Sequence, residues 1–140
     1  MSSELRNLAS RARRHTTLAR TVVLGDERAA SFTALLAALE HELQPVGEVE
    51  AACVESMAVA RWRIMRLWGI EKAALQLHIS RQHPGQDDPP THAAIAFGAL
   101  CDGSRSADLL NRYETRYDRQ YARALNLFMK WRAARLGDPA

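Results

Sequence analysis

Little in this chain can cross-link it, chelate a metal or cross a bilayer. Its 140 residues include two cysteines, Cys53 and Cys101, far apart on apolar helix-like segments. No CxxC pair and no cysteine–histidine spacing suggests zinc. Both are expected as small buried hydrophobes, with a disulfide the weaker alternative. No run of eighteen apolar residues offers a membrane span. Arg6, Arg11, Arg13 and Arg14 crowd the N-terminus without an apolar stretch or cleavage site behind them. This is not a secretory signal, although its arginine- and serine-rich, acid-poor look overlaps with a transit peptide. The cytoplasm is the expected compartment.

Chemical motifs are missing too. There is no GxxxxGKS/T, no GxGxxG and no HExxH. A ferritin-like di-iron site needs Glu-x-x-His on two helices. Here Glu40 is followed directly by His41, and the third residue after Glu114 is Tyr117. His15, His41, His78, His83 and His92 are scattered, and nothing marks a Cys–His or Ser–His pair. The chain is expected to be non-enzymatic, with no catalytic residue, no metal site and no cofactor.

What is present is helical periodicity. Val49, Cys53, Met57, Ala60, Ile64, Leu67 and Leu75 fall mostly three or four residues apart, the spacing of one helix face. Phe32, Leu35, Leu36, Leu39 and Leu43 form a second stripe. Leu110, Tyr113, Tyr117, Ala124, Leu127, Phe128 and Trp131 form a third. The spacing predicts an all-α fold with three main helices, about 27–43, 48–80 and 107–136, in an antiparallel bundle. A short helix near 92–101, capped by Thr91, carries Ile95, Phe97 and Leu100. Gly69 predicts a mild bend or a close helix contact inside the long helix. Residues 83–90 read as the one clear loop. At 47% hydrophobic and 25% charged, the composition suits a folded chain. The expected organisation is a basic N-terminal arm, 1–24, and a single helical domain, 25–137. Within the arm, 3–14 reads as a short helix and 21–24 as an extended β-branched stretch.

Charge is segregated although the net is only +3. The first 24 residues carry five arginines against Glu4, and residues 26–55 carry seven acids against Arg28. Positive charge returns in 61–72 and 105–136. Blocks of one sign either face each other inside a fold or meet a charged partner. Arg61, Trp62, Arg63, Arg66 and Trp68 form a basic-aromatic cluster on the long helix. Trp68 reads as core, and Arg66 is placed to lie over Trp62. Arg112, Arg116, Arg119 and Arg123 share one face of the last helix, where like charges repel. That face needs acids from another element or a polyanion. Tyr113, Tyr117 and Tyr121 repeat every four residues, a pattern more typical of a core edge than of a base-stacking ladder. A helix-turn-helix over 92–116 fits loosely.

Taken together, these residues resemble a group of small, all-helical, uncharacterised bacterial proteins with a basic Asn-Ala-x-x-His-Gly arm leading into Ala-Arg-x-Val-Val-Leu. The matching residues are Asn7, Ala9, His15, Ala19, Arg20, Val22, Val23 and Leu24. Ala60-Arg61-Trp62-Arg63 matches in the middle. Arg112-Tyr113-Glu114 with Tyr121, Arg123, Ala124 and Leu125 matches near the end. Thr16 stands where the group has glycine. By analogy to small-terminase-like and mobile-element-associated proteins, the resemblance implies a nucleic-acid partner. The expected contacts are Arg11, Arg13, Arg14, Arg20, Arg61, Arg63, Arg66, Arg112, Arg116, Arg119 and Arg123, with Trp62 and Tyr117 as aromatic support. The alternative is a protein–protein adaptor or homo-oligomer within a larger complex. No membrane partner is expected.

Overall fold

The computed structural model describes residues 2–82, 85 and 88–137. Among them the chain is all-helical, as the periodicity predicts, with 86% of residues in helix and no strand. The helices are α1 (Ser3–Val22), α2 (Ala29–Leu43), α3 (Gly47–Ser80), α4 (Pro89–Gly103) and α5 (Ser106–Arg135). None is long and apolar enough to cross a membrane. Packing divides the chain into two compact units, Met1–Val59 with Tyr121–Ala140, and Ala60–Gln120.

Helix α1 corrects the sequence expectation. It does not stop at residue 14, and Thr21 and Val22 are helical rather than extended. Buried Ala19 and Val22 and the ion pairs of Arg14 and His15 hold this half of the helix, which accommodates its threonines. Thr16, Thr17 and Thr21 donate their hydroxyls to the carbonyls of Ala12, Arg13 and Thr17, at 3.0, 3.0 and 3.1 Å. Each threonine thus satisfies its side chain inside the helix. Ser2 caps the start by accepting the Leu5 amide at 3.3 Å. Ala19 and Val22 are the buried residues of this helix.

The breaks are set by one or two residues each. Gln44 ends α2 in the left-handed region, with φ 48°, and its amide bonds to the Glu40 carbonyl. Gly47, with φ 82°, then opens α3. Asp88 rather than Thr91 caps α4, its carboxylate accepting the Thr91 amide at 3.0 Å. Those hydrogen bonds to Thr91 hold the Asp88 carboxyl below its ordinary value. Pro89 and Pro90 sit at the first positions of α4, where a missing N–H costs nothing. The helix therefore starts inside the expected loop. Of that loop, His83, Pro84, Gln86 and Asp87 lie outside the described residues. Only Ser104 and Arg105 separate α4 from α5, fewer than the turn of about three to four residues in a helix-turn-helix. Gly137, with φ 67°, follows the end of α5.

The first unit holds most of the apolar core. Phe32, Leu36, Val54, Met57 and Phe128 are fully enclosed, and Ala58, Ala124 and Cys53 are also buried. Burial pushes the Cys53 thiol up, and the charge of Glu50 adds to the effect. Burying Phe32 or Leu36 contributes about 1.5–3 kcal/mol each. In the second unit, Ala60, Ile64, Ala96 and Leu100 are the buried apolar residues described. Three expectations fail there. Trp68, Ile95 and Phe97 are exposed rather than core. Cys101 is exposed rather than buried. Gly69 has no neighbour within 4 Å of the place a Cβ would take, so it marks no close helix contact.

Candidate functional site

The first unit ties its helices together with two charge networks. On α1, the Arg14 guanidinium reaches two carboxylates of α3. It donates to both oxygens of Glu48 at 2.8 Å and to Glu55 through Nε and Nη2. These bonds raise the Arg14 pKa further above its ordinary value, Glu55 first and Glu48 second. His15 Nε2 lies 2.8 Å from Glu40 of α2, and both side chains are largely buried. Arg11 approaches the same carboxylate at 3.7 Å.

A second network gathers at the break between α2 and α3. Glu50, 2% exposed, accepts the Val46 amide at 2.8 Å and Arg135 Nε at 2.8 Å. Arg132 stands 3.7 Å from the same carboxylate. It also donates to the Leu43 carbonyl and, at 2.9 Å, to that of Gln44, while its guanidinium lies 4.4 Å from the Phe128 ring centre. These donors hold the Glu50 carboxyl below its ordinary value, Arg135 first and the Val46 amide next. Arg132 Nε is the one buried side-chain polar atom without a partner among the described residues. Arg132, Arg135 and Glu50 were not singled out by sequence reasoning. Only the basic last turn of α5 hinted at them.

The second unit uses its cations differently. Arg61 lies 4.9 Å from the Trp68 ring centre, and Arg63 lies 5.6 Å from that of Tyr117. The Trp68 indole donates to Glu114 at 3.2 Å. Tyr113 and Tyr117 stack with centroids 6.0 Å apart. Trp62 and Arg66 are half-buried and engaged within the fold. Arg112 pairs with Asp108 of its own helix at 3.2 Å. Arg116 and Arg119 are exposed and form no ion pair among the described residues.

Three further arginines of the first unit, Arg13 and Arg20 on α1 and Arg123 on α5, are likewise exposed and unpaired among the described residues. The expected contact residues therefore separate by environment. Arg11 and Arg14 are engaged by carboxylates, and Arg61 and Arg63 lie over rings. Arg13, Arg20, Arg116, Arg119 and Arg123 keep their donors toward solvent. Among the described residues no group of acidic, histidine and cysteine side chains could hold a metal ion. No protein-family model, curated protein or solved structure matches the chain.

Proposed function

We propose that this is a non-enzymatic helical protein that contacts nucleic acid through phosphates, as a subunit of a nucleoprotein or mobile-element complex. One observation carries the reading. Glu40, Glu48, Glu50 and Glu55 are engaged by Arg14, His15, Arg132 and Arg135, while Arg116, Arg119 and Arg123 receive no carboxylate among the described residues. Helical neighbours of like charge repel, so these arginines gain from an anionic partner. Phosphate contacts of this kind carry no sequence information. They release counterions, and three of them would give a salt slope of roughly −2.7 on a log–log plot for B-DNA.

The test is fluorescence polarisation of labelled duplex DNA, single-stranded DNA and RNA oligomers at two or more salt concentrations. Binding that weakens steeply with salt is expected, and Arg116→Gln with Arg119→Gln and Arg123→Gln reduces both the affinity and the slope. Absence of binding to all three probes, or binding indifferent to the triple substitution, overturns the reading.

An antiparallel arrangement of α2, α3 and α5 within the first unit belongs to the same proposal. It is supported by the three-residue break at 44–46 and by the Arg132 bonds to Leu43 and Gln44. A second reading, self-association, is favoured by the large apolar side chains that the second unit leaves in solvent.

A further inference from the structure

Two surfaces of this chain lack a complement, and each has the chemistry the other needs. The first is the N-terminal half of α1. From Ser3 to Arg13 every residue is exposed, whereas from Arg14 onward the helix is held by its own chain. Leu5 and Leu8 are 54% and 58% exposed. With Ala9 and Ala12 they form a stripe at helical spacing. Arg6 and Arg13, seven residues apart, flank that stripe on one side, and neither has an ion pair among the described residues. This is a short amphipathic helix with a basic edge and nothing against its apolar face.

The second surface is a hollow of about 400 Å³ in the second unit. Its apolar lining includes Phe97, 56% exposed, with Leu100 and Leu110. Its rim is acidic. Glu71 has no ion pair among the described residues, and Glu114 accepts only the neutral Trp68 indole at 3.2 Å. Asp108 on the same rim is already matched by Arg112. The hollow thus offers an apolar floor beside two uncompensated carboxylates. A neutral apolar ligand would leave those charges unanswered, and an acidic one would be repelled.

We propose that the N-terminal half of α1 from a second copy of this chain docks in this hollow. Leu5 and Leu8 meet Phe97, Leu100 and Leu110, and Arg6 and Arg13 face Glu71 and Glu114. The proposal rests on the self-association reading and gives it a geometry. The contact is heterologous, because each copy contributes a different surface. It propagates along a row of copies unless the rotation between them closes a ring.

Sedimentation of the full-length protein without nucleic acid, at several protein and salt concentrations, tests this. Self-association that weakens with salt is expected. Leu5→Ser with Leu8→Ser weakens it by at least ~10-fold, from the lost apolar burial alone. Phe97→Ser with Glu114→Lys, on the other surface, does the same. Leu5, Leu8 and Phe97 are exposed and Glu114 is half-buried, and far-UV circular dichroism checks that the helices are intact. The decisive arm mixes the two double variants. Each retains one good surface, so together they form a heterodimer that stops at two copies. A wild-type chain that stays monomeric overturns both this geometry and the self-association reading. Association that ignores both double variants, or variants that fail to complement, overturns this geometry and leaves self-association standing.

Discussion

The two units of this protein differ in the apolar residues they enclose. The first encloses Phe32, Leu36, Val54, Met57 and Phe128. It ties its helices together with carboxylates that each meet a cation. The second buries small or single residues, Ala60, Ala96, Ile64 and Leu100, and leaves Trp68, Phe97, Ile95 and Ile70 facing solvent. Its polar contacts are also softer, with cations over rings and an indole on a carboxylate. The difference teaches where stability and surface chemistry reside. Large enclosed side chains and ion pairs between helices hold the first unit, while exposed apolar side chains and unpaired arginines, the groups open to partners, occur in both.

The sharpest way to break that contrast is to truncate one phenylalanine in each unit. Phe32→Ala should cost about 3–5 kcal/mol, the range for a fully enclosed ring. Phe97→Ala should stay within about 0.5 kcal/mol, as for surface substitutions. Chemical denaturation followed by circular dichroism gives both values. Similar losses at the two positions would erase the distinction.

Glu50→Gln is the next largest. In the folded protein its carboxyl sits below its ordinary value of 4.5. A carboxylate depressed by folding contributes fully above its unfolded value and loses that contribution as pH falls through the folded one. The melting temperature of the wild type should therefore drop on acidification below about pH 4.5. The variant should melt several degrees lower near neutral pH and show a shallower acid dependence. Thermal melts over a pH series compare the two, and parallel curves would remove Glu50 from the first unit's support.

Gly69→Ala sharpens the comparison at the small end. The site is exposed, helical and empty around the missing Cβ. Alanine there should stabilise by up to ~1 kcal/mol through helix propensity. A loss instead would reveal a contact at Gly69, and with it a tighter second unit.

Legibility in the sequence followed the range of the interactions. Of the α3 stripe, Cys53, Met57, Ala60 and Ile64 are buried as the spacing predicts, Leu67 and Leu75 are half-buried, and Val49 is exposed. The same rule overreached at Ile95, Phe97 and Trp68, because periodicity names a face without saying whether anything covers it. Thr21 and Val22 were misread as extended because β-branched residues weaken helices on average. Here the Thr21 hydroxyl bonds to the carbonyl four residues back. Asp88 was missed as a cap because the prolines after it suggested a loop, when two prolines also suit the first turn of a helix. The basic face was legible as a pattern at Arg112, Arg116, Arg119 and Arg123. Its state of pairing was not.

By itself the amino-acid order determined the helices and their breaks, since those depend on apolar spacing, on Gln44, Gly47 and Gly137 at their turns, and on bonds spanning three or four residues. Which acid met which base was decided only in three dimensions. Glu40 finds His15 across 25 positions, Arg14 finds Glu55 across 41, and Arg135 finds Glu50 across 85. Coulomb attraction depends on distance in space, and helix packing brings these distant positions within reach. The same folding left Arg116, Arg119 and Arg123 with their charge facing water.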